Sequence, residues 1–237
     1  MEATSITSVQ QLDFRLGDWK WPFAEVRRAE IASYFDLLKR KNDALWNGRV
    51  FLLRRYEASG DLLRGEFFET DFASLLAWRD WGFPDRSVHA CFAMAAIQGG
   101  EGGFLLGVMG EHTANPGRAY FPTGSPDPMD LDGERVDLDR SVRRELEEET
   151  GLTFGQFRAE PGWHVVLAGQ HLVLMKWLHA RETTDELRES VLAFLATETR
   201  PEFSAIRAIQ RSDGFTSMIP VYVQAFLREA WRTGEQR

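Results

Sequence analysis

Apolar positions recur along this chain with two spacings, and the switches between them mark out its elements. Between residues 22 and 41, Val26, Ile31, Tyr34, Phe35 and Leu38 fall at near-helical intervals, with Pro22 suited to a first turn. Residues 50–56 and 62–69 are strand-like and separated by a glycine-containing stretch of hairpin length, 57–61. Residues 72–81 return to a helical pattern, with Asp71 placed to cap it. Two further strands, 89–98 and 104–109, flank the turn Gly99-Gly100-Glu101-Gly102-Gly103, and residues 118–122 follow them. Leu138, Val142 and Leu146 make an apolar stripe on a helix that Asp137 caps. Strands over 162–168 and 171–179 precede helices over 184–197 and 219–231, the last with Pro220 near its first turn. The alternation predicts an α/β protein: an N-terminal α+β extension over residues 1–86 (helix, β-hairpin, helix) and a main domain over 87–237.

The chemistry concentrates on the helix that carries that stripe. Glu145, Glu148 and Glu149 lie beside the apolar face instead of opposite it, at the edge of the core. Like charges at i, i+3 and i, i+4 cost a few tenths of a kcal/mol each, and the last two acids also face the negative end of the helix dipole. A divalent cation reverses the sign of all these terms. Magnesium, with manganese as a substitute, suits hard carboxylate oxygens and keeps waters through which it grips phosphates. A solvated, Glu-rich helix end is the competing reading of the acids alone.

The order of residue types goes further. Arg144-Glu145-Leu146-Glu147-Glu148-Glu149-Thr150-Gly151-Leu152 resembles the second half of the Nudix box, the signature of the Nudix hydrolases, at all of its fixed positions. The first half departs from the family pattern, whose glycine and glutamate would fall on Asp130 and Val136. Phe121-Pro122-Thr123-Gly124 is similar to the family's loop entry, with an acid six residues beyond Gly124 at Asp130 and then an insertion over 131–136. The resemblance covers residues 121–152. It implies a Nudix-type α/β/α sandwich with a mixed β-sheet. It further implies Glu145, Glu148, Glu149 and the Thr123 carbonyl as metal ligands, Arg144 as the residue that holds the acids, and Gly151 as the left-handed helix cap. In the family the base comes from the box, here Glu148 or Glu149, or from a later loop. Glu202, after Pro201 at a loop-to-strand transition, is the later candidate. Segments 45–51, 65–68, 70–72 and 78–80 are similar to the N-terminal region of a Nudix subgroup that hydrolyses UDP-sugars.

Composition narrows the partners. A net charge of -8 argues against a nucleic-acid surface, which needs clustered Lys and Arg. The longest uncharged run is too short to span a bilayer, and residues 1–14 lack the basic-then-apolar order of a secretory signal. Cys91, the single cysteine, is expected as a buried thiol. A soluble cytoplasmic enzyme acting on a small nucleotide substrate is the expectation, with oligomeric state open and a homodimer among the options. The five histidines have no zinc-like spacing. The glycine-rich turn lacks the lysine and helix of a P-loop. Trp46, Trp78, Trp81 and Trp163 are candidates to stack on a base, although core packing is the commoner role, and Arg49, Arg79 or Arg86 are candidates for the diphosphate or sugar.

The expected activity is therefore magnesium-dependent cleavage of the pyrophosphate bond in a nucleoside diphosphate joined to another group. A UDP-sugar giving UMP and a sugar 1-phosphate leads; ADP-ribose, a dinucleotide, coenzyme A or a nucleoside triphosphate are the other substrates. A catalytically silent nucleotide-sensing or protein-binding module is the alternative from a different class.

Overall fold

The computed structural model describes residues 4–234; the outermost residues of both expected segments, 1–3 and 235–237, lie outside it. The elements run β1 (Thr4–Val9), β2 (Gln11–Gly17), α1 (Pro22–Val26), α2 (Arg28–Lys41), β3 (Arg49–Ser59), β4 (Leu62–Asp71), α3 (Phe72–Asp80), β5 (Ala90–Gln98), β6 (Phe104–Met109) and β7 (Ala119–Tyr120). They continue with β8 (Leu131–Asp132), β9 (Arg135–Val136), α4 (Leu138–Thr150), β10 (Arg158–Ala159), β11 (Trp163–Ala168), β12 (His171–His179), α5 (Thr184–Leu195), β13 (Phe203–Ile209) and α6 (Val221–Gly234).

The larger sheet has the order β1-β11-β12-β5-β6-β13, with β7 on β6 and β10 on β12. Its central pair, β12 and β5, is parallel and the other pairings are antiparallel, so the sheet is mixed. Both central strands are buried along most of their length, which explains why 89–98 reads as an uncharged run. His164 and Met175 sit opposite each other on one face, and His164 meets Phe226 of α6 with ring centroids 5.6 Å apart. Lys176 points to the other face, where Asp139 and Arg143 of α4 act on it. Helix α5 packs beside α4 and on β13. The result is the α/β/α sandwich the resemblance implies. Phe104 contacts Phe121, Trp177, Phe226 and Trp231 at 5.9–6.0 Å, and each such ring contributes about 1.5–3 kcal/mol by leaving water.

The second sheet has the order β3-β4-β2-β9-β8 and carries α1, α2 and α3 around a separate cluster with Trp21, Phe68 and Trp78. The hairpin of β3 and β4 forms as expected, but its strands run up to Gly60 and Asp61, leaving a tighter turn than residues 57–61. Asp71 caps α3 by accepting from Ser74 N at 2.7 Å. The helix expected over 22–41 is broken: Arg27 departs from helical geometry at φ -103° and ψ 17°, and Val26 turns outward with 84% exposure.

Two segments cross between the sheets. Strand β1 joins the large sheet and β2, separated from it by Gln10, the small one. The insertion at 131–136 folds as the hairpin β8-β9 around Gly133, at φ 62°, and reaches β2 through Arg15 and Arg135. The sheets therefore do not divide at residue 86. The expected extension begins at the helix and leaves out β1 and β2, although Leu12, Phe14 and Leu16 alternate with Asp13 and Arg15 as in a strand; the partners of both strands lie far along the chain.

Candidate active site

Helix α4 begins at Asp137, which accepts from Arg140 N at 3.1 Å, and ends at Gly151 in the left-handed region, φ 70°. A Cβ at Gly151 would also overlap the Phe194 ring, so glycine is needed there twice. Leu138, Val142 and Leu146 are buried against the sheet, and this rotation carries Glu145 and Glu149 inward with them. Glu149 is 4% exposed, whereas the Glu148 side chain is 57% exposed. The helix thus divides its three acids into a buried pair and an outer one.

Arg144 organises the surroundings. It pairs with Glu145 at 2.8 Å, donates to Glu148 at 3.2 Å, and forks onto both oxygens of Asp130 at 3.2 and 3.3 Å. Asp130 is wholly enclosed, in a short 3-10 turn over Pro128–Asp130 that Asp127 caps by accepting from Met129 N, while Asp130 accepts from Asp127 N. Burial raises the Asp130 pKa despite Arg144, and burial of Arg144 is outweighed by Glu145, Asp130 and Asp127, which raise its pKa. Asp127 as part of this set escaped sequence reasoning. Its signal was present, since Asp-Pro-x-Asp is a capping box with proline in the first turn.

The loop before the helix closes the site from the other side. Thr123 N donates to Glu149 Oε2 at 2.9 Å, and the Thr123 hydroxyl donates to the Ala93 carbonyl at 2.7 Å. Thr123 therefore anchors the loop to β5. Next to it, a Cβ on Gly124 would overlap Glu145 Oε1. Glycine at 124 is what lets backbone and carboxylate share that space.

Glu202, at the entry to β13, completes the cluster. Its carboxyl reaches Glu149, and its charge acts on Glu145 and Glu149. Burial, then Glu148, Glu202 and Asp130 against the opposing Arg144, push the Glu145 pKa up to about 7. Burial, then Glu145 and Glu202, raise that of Glu149 well above the usual carboxylate range, against the Thr123 N–H. Glu149 Oε1 is buried with no donor among the described residues. A hard cation fits this set, because it would give the orphaned oxygen a partner and offset the repulsion. Among the described residues no three His, Cys, Asp or Glu side chains already surround one point; Arg144 holds Glu148 outward.

Tyr120 lines a cavity of about 630 Å³ between α3, the loop before β7 and the start of α6. Glu149 and Glu202 act electrostatically on Tyr120, and neither glutamate lines the cavity itself. Phe92, His171 and Tyr222 form an aromatic side, with centroids of 5.9 Å for Phe92–Tyr222 and 5.4 Å for His171–Tyr222. Arg79 and Arg118 supply positive charge, and both act on Tyr222, whose pKa is raised by burial and lowered by them. Of the candidate arginines only Arg79 lines this cavity; Arg49 pairs with Glu69 instead. Trp78 and Trp163 are core residues and Trp46 is 77% exposed, none of them on the cavity wall. The glycine-rich turn also lies elsewhere: Glu101 accepts from Thr184 N at 2.9 Å, capping α5. Cys91 is buried, and burial raises its pKa. No helix among the described residues is long and apolar enough to cross a membrane.

No protein-family model matches this chain, and no curated protein matches it. Among solved structures it is similar to a MutT protein from Methanosarcina mazei Go1, with 17% identity, 62% of this chain and 95% of that one covered, and a TM-score of 0.39. It is also similar to the Nudix hydrolase RenU from M. smegmatis (13% identity, 62% and 86% covered, TM-score 0.40) and to a Nudix hydrolase from Nitrosomonas europaea (14% identity, 62% and 90% covered, TM-score 0.40).

Proposed function

We propose that this protein is a Nudix-type pyrophosphohydrolase that cleaves the pyrophosphate bond of a nucleoside diphosphate derivative, with magnesium as cofactor and UDP-sugars as the first substrates to test. The observation that carries the reading is a pair of buried carboxylates on one helix, Glu145 and Glu149, with the charge of Glu202 acting on both. Isolated, such a pair is costly; a protein that retains it has a use for it.

Glu145 and Glu149 would hold the cation, with Glu148 after release from Arg144 and the Thr123 carbonyl as further ligands. When bound, the cation supplies charge neutralisation for a diphosphate and a lowered pKa for water. Arg144 keeps Glu145 in place and shares its charge with Asp127 and Asp130. Glu202 and Glu149, which act on each other, are the groups proposed to take a proton. The aromatic side at Phe92, His171 and Tyr222 suits a planar base, and Arg118 suits the phosphates.

The test is product release with Mg²⁺ over UDP-glucose, UDP-galactose, ADP-ribose, NADH, coenzyme A and nucleoside triphosphates, resolved by mass. UMP plus a sugar phosphate is the expected product, and Glu149→Gln is expected to lower turnover on the order of 10²-fold or more. Undiminished turnover by Glu149→Gln would refute the site. Tight binding without turnover by the unaltered protein would make it a sensor.

A further inference from the structure

A chain of side-chain hydrogen bonds runs from α2 through α3 to the cavity. Tyr34 of α2 donates to Asp80 Oδ2 at 2.8 Å, and Arg79 Nε donates to Asp80 Oδ1 at 2.7 Å. Arg79 Nη1 donates to Asn115 Oδ1 at 3.0 Å, and Asn115 Nδ2 donates to the Tyr120 hydroxyl oxygen at 3.2 Å. The direction of each bond is set by one member. Arginine has no acceptor, so the amide oxygen of Asn115 must face Arg79 and its NH₂ must face Tyr120. Tyr120 is then the acceptor in that bond. Its own proton points elsewhere, and Asn115 is the one partner of this hydroxyl among the described residues.

Tyr120 is buried, lines the cavity, and lies close enough to Glu149 and Glu202 for both to act on it. Resting on the reading of the site as a diphosphate-cleaving centre, we infer that the Tyr120 hydroxyl donates a hydrogen bond to a phosphoryl oxygen of the substrate. In this arrangement Asn115 and Arg79 are positioning residues that fix the direction of that hydrogen bond. Tyr120 contacts substrate; Asn115 acts through Tyr120, and Arg79, from the helix α3, acts through Asn115. This makes helices α2 and α3 part of the reaction machinery by way of one amide.

The prediction specific to this polarity is that Asn115→Asp resembles Tyr120→Phe. Aspartate offers only oxygens, so Tyr120 turns its proton toward residue 115 and away from the cavity. Both single variants are expected to weaken UDP binding, measured by calorimetry on the full chain with metal chelated, by about ten- to a hundredfold, the size of one hydrogen bond to a charged group. The double variant is expected to be no weaker than Tyr120→Phe alone. Asn115→Gln, which keeps the amide, is expected to restore part of the affinity. Thermal melting of each variant separates loss of the bond from loss of the fold.

Turnover on the substrate panel keeps the two ideas apart. If the unaltered protein turns over a substrate and Tyr120→Phe binds UDP and turns over equally well, the inference is wrong and the proposed function stands. If no substrate is turned over but UDP affinity falls together in both single variants and not further in the double, the function is wrong and the inference stands. Additive losses, or a loss with Tyr120→Phe and none with Asn115→Asp, overturn the inference.

Discussion

Replacing Glu145 with glutamine should stabilise the metal-free protein at alkaline pH and leave it unchanged in acid. Glu145 sits at a pKa of about 7 against 4.5 outside the fold, because burial and neighbouring acids outweigh Arg144. At about 1.4 kcal/mol per tenfold change in proton affinity, the ionised group costs the folded state roughly 3 kcal/mol. Below pH 4.5 the carboxyl is protonated in both states and contributes no penalty. Between 4.5 and about 7 only the unfolded chain releases the proton, so stability falls as pH rises, and above about 7 the full cost is present. Glutamine keeps the shape and an oxygen for Arg144 but never ionises. For a chain of this length about 3 kcal/mol corresponds to roughly 6–12 °C in melting temperature. The assay is thermal unfolding in chelator at about pH 5 and about pH 8, followed by titration of Mg²⁺ at the higher pH. Unaltered protein should melt lower at about pH 8 and recover with Mg²⁺; Glu145→Gln should melt higher there and respond weakly to the metal. Equal melting of the two proteins at both pH values would refute the claim that this carboxylate is held at a cost.

Three other perturbations follow from the same geometry. Arg144→Met leaves the enclosed Asp130 without its cation and should cost about 3–5 kcal/mol in urea unfolding; a loss below about 1 kcal/mol would mean the Arg144 bonds are of little consequence. Gly124→Ala puts a Cβ on Glu145 Oε1, so Mn²⁺ affinity by calorimetry should fall on the order of tenfold or more, and unchanged affinity would remove Glu145 from the ligand set. Glu202→Gln relieves repulsion on Glu149 and Glu145. It should raise metal-free stability at about pH 8 and, with Glu202 as base, lower kcat on the order of 10²-fold; full activity would return the base role to Glu148 or Glu149.

Much of the catalytic helix was legible because its information is local. The stripe of Leu138, Val142 and Leu146, the flanking acids, the Asp137 cap and the Gly151 cap all lie within one helix, where spacings of three and four residues decide which side chains share a face. Glu202 could be named as a later acid, because Pro201 breaks the preceding helical pattern and puts it at a loop-to-strand transition, although its effect on Glu149 could not be derived. Helix α6 reads as apolar in sequence and could serve as core or interface; Val223, Phe226, Leu227 and Ala230 are buried in the core.

The chain by itself therefore determined the composition of the catalytic helix, its caps and the alternation of helix and strand. Tertiary structure alone decided that β1 and β2 part into different sheets, that the 131–136 insertion pairs with β2, and that Asp127 and Asp130 close around Arg144. It also decided that Glu148 turns outward while Glu145 and Glu149 are buried, and that Arg79 meets Asn115 and Tyr120 at the cavity. The physical reason is separation along the chain. A helix face follows from the backbone period of a few residues, whereas strand pairing, desolvation and the direction of a hydrogen bond depend on groups that only folding brings together.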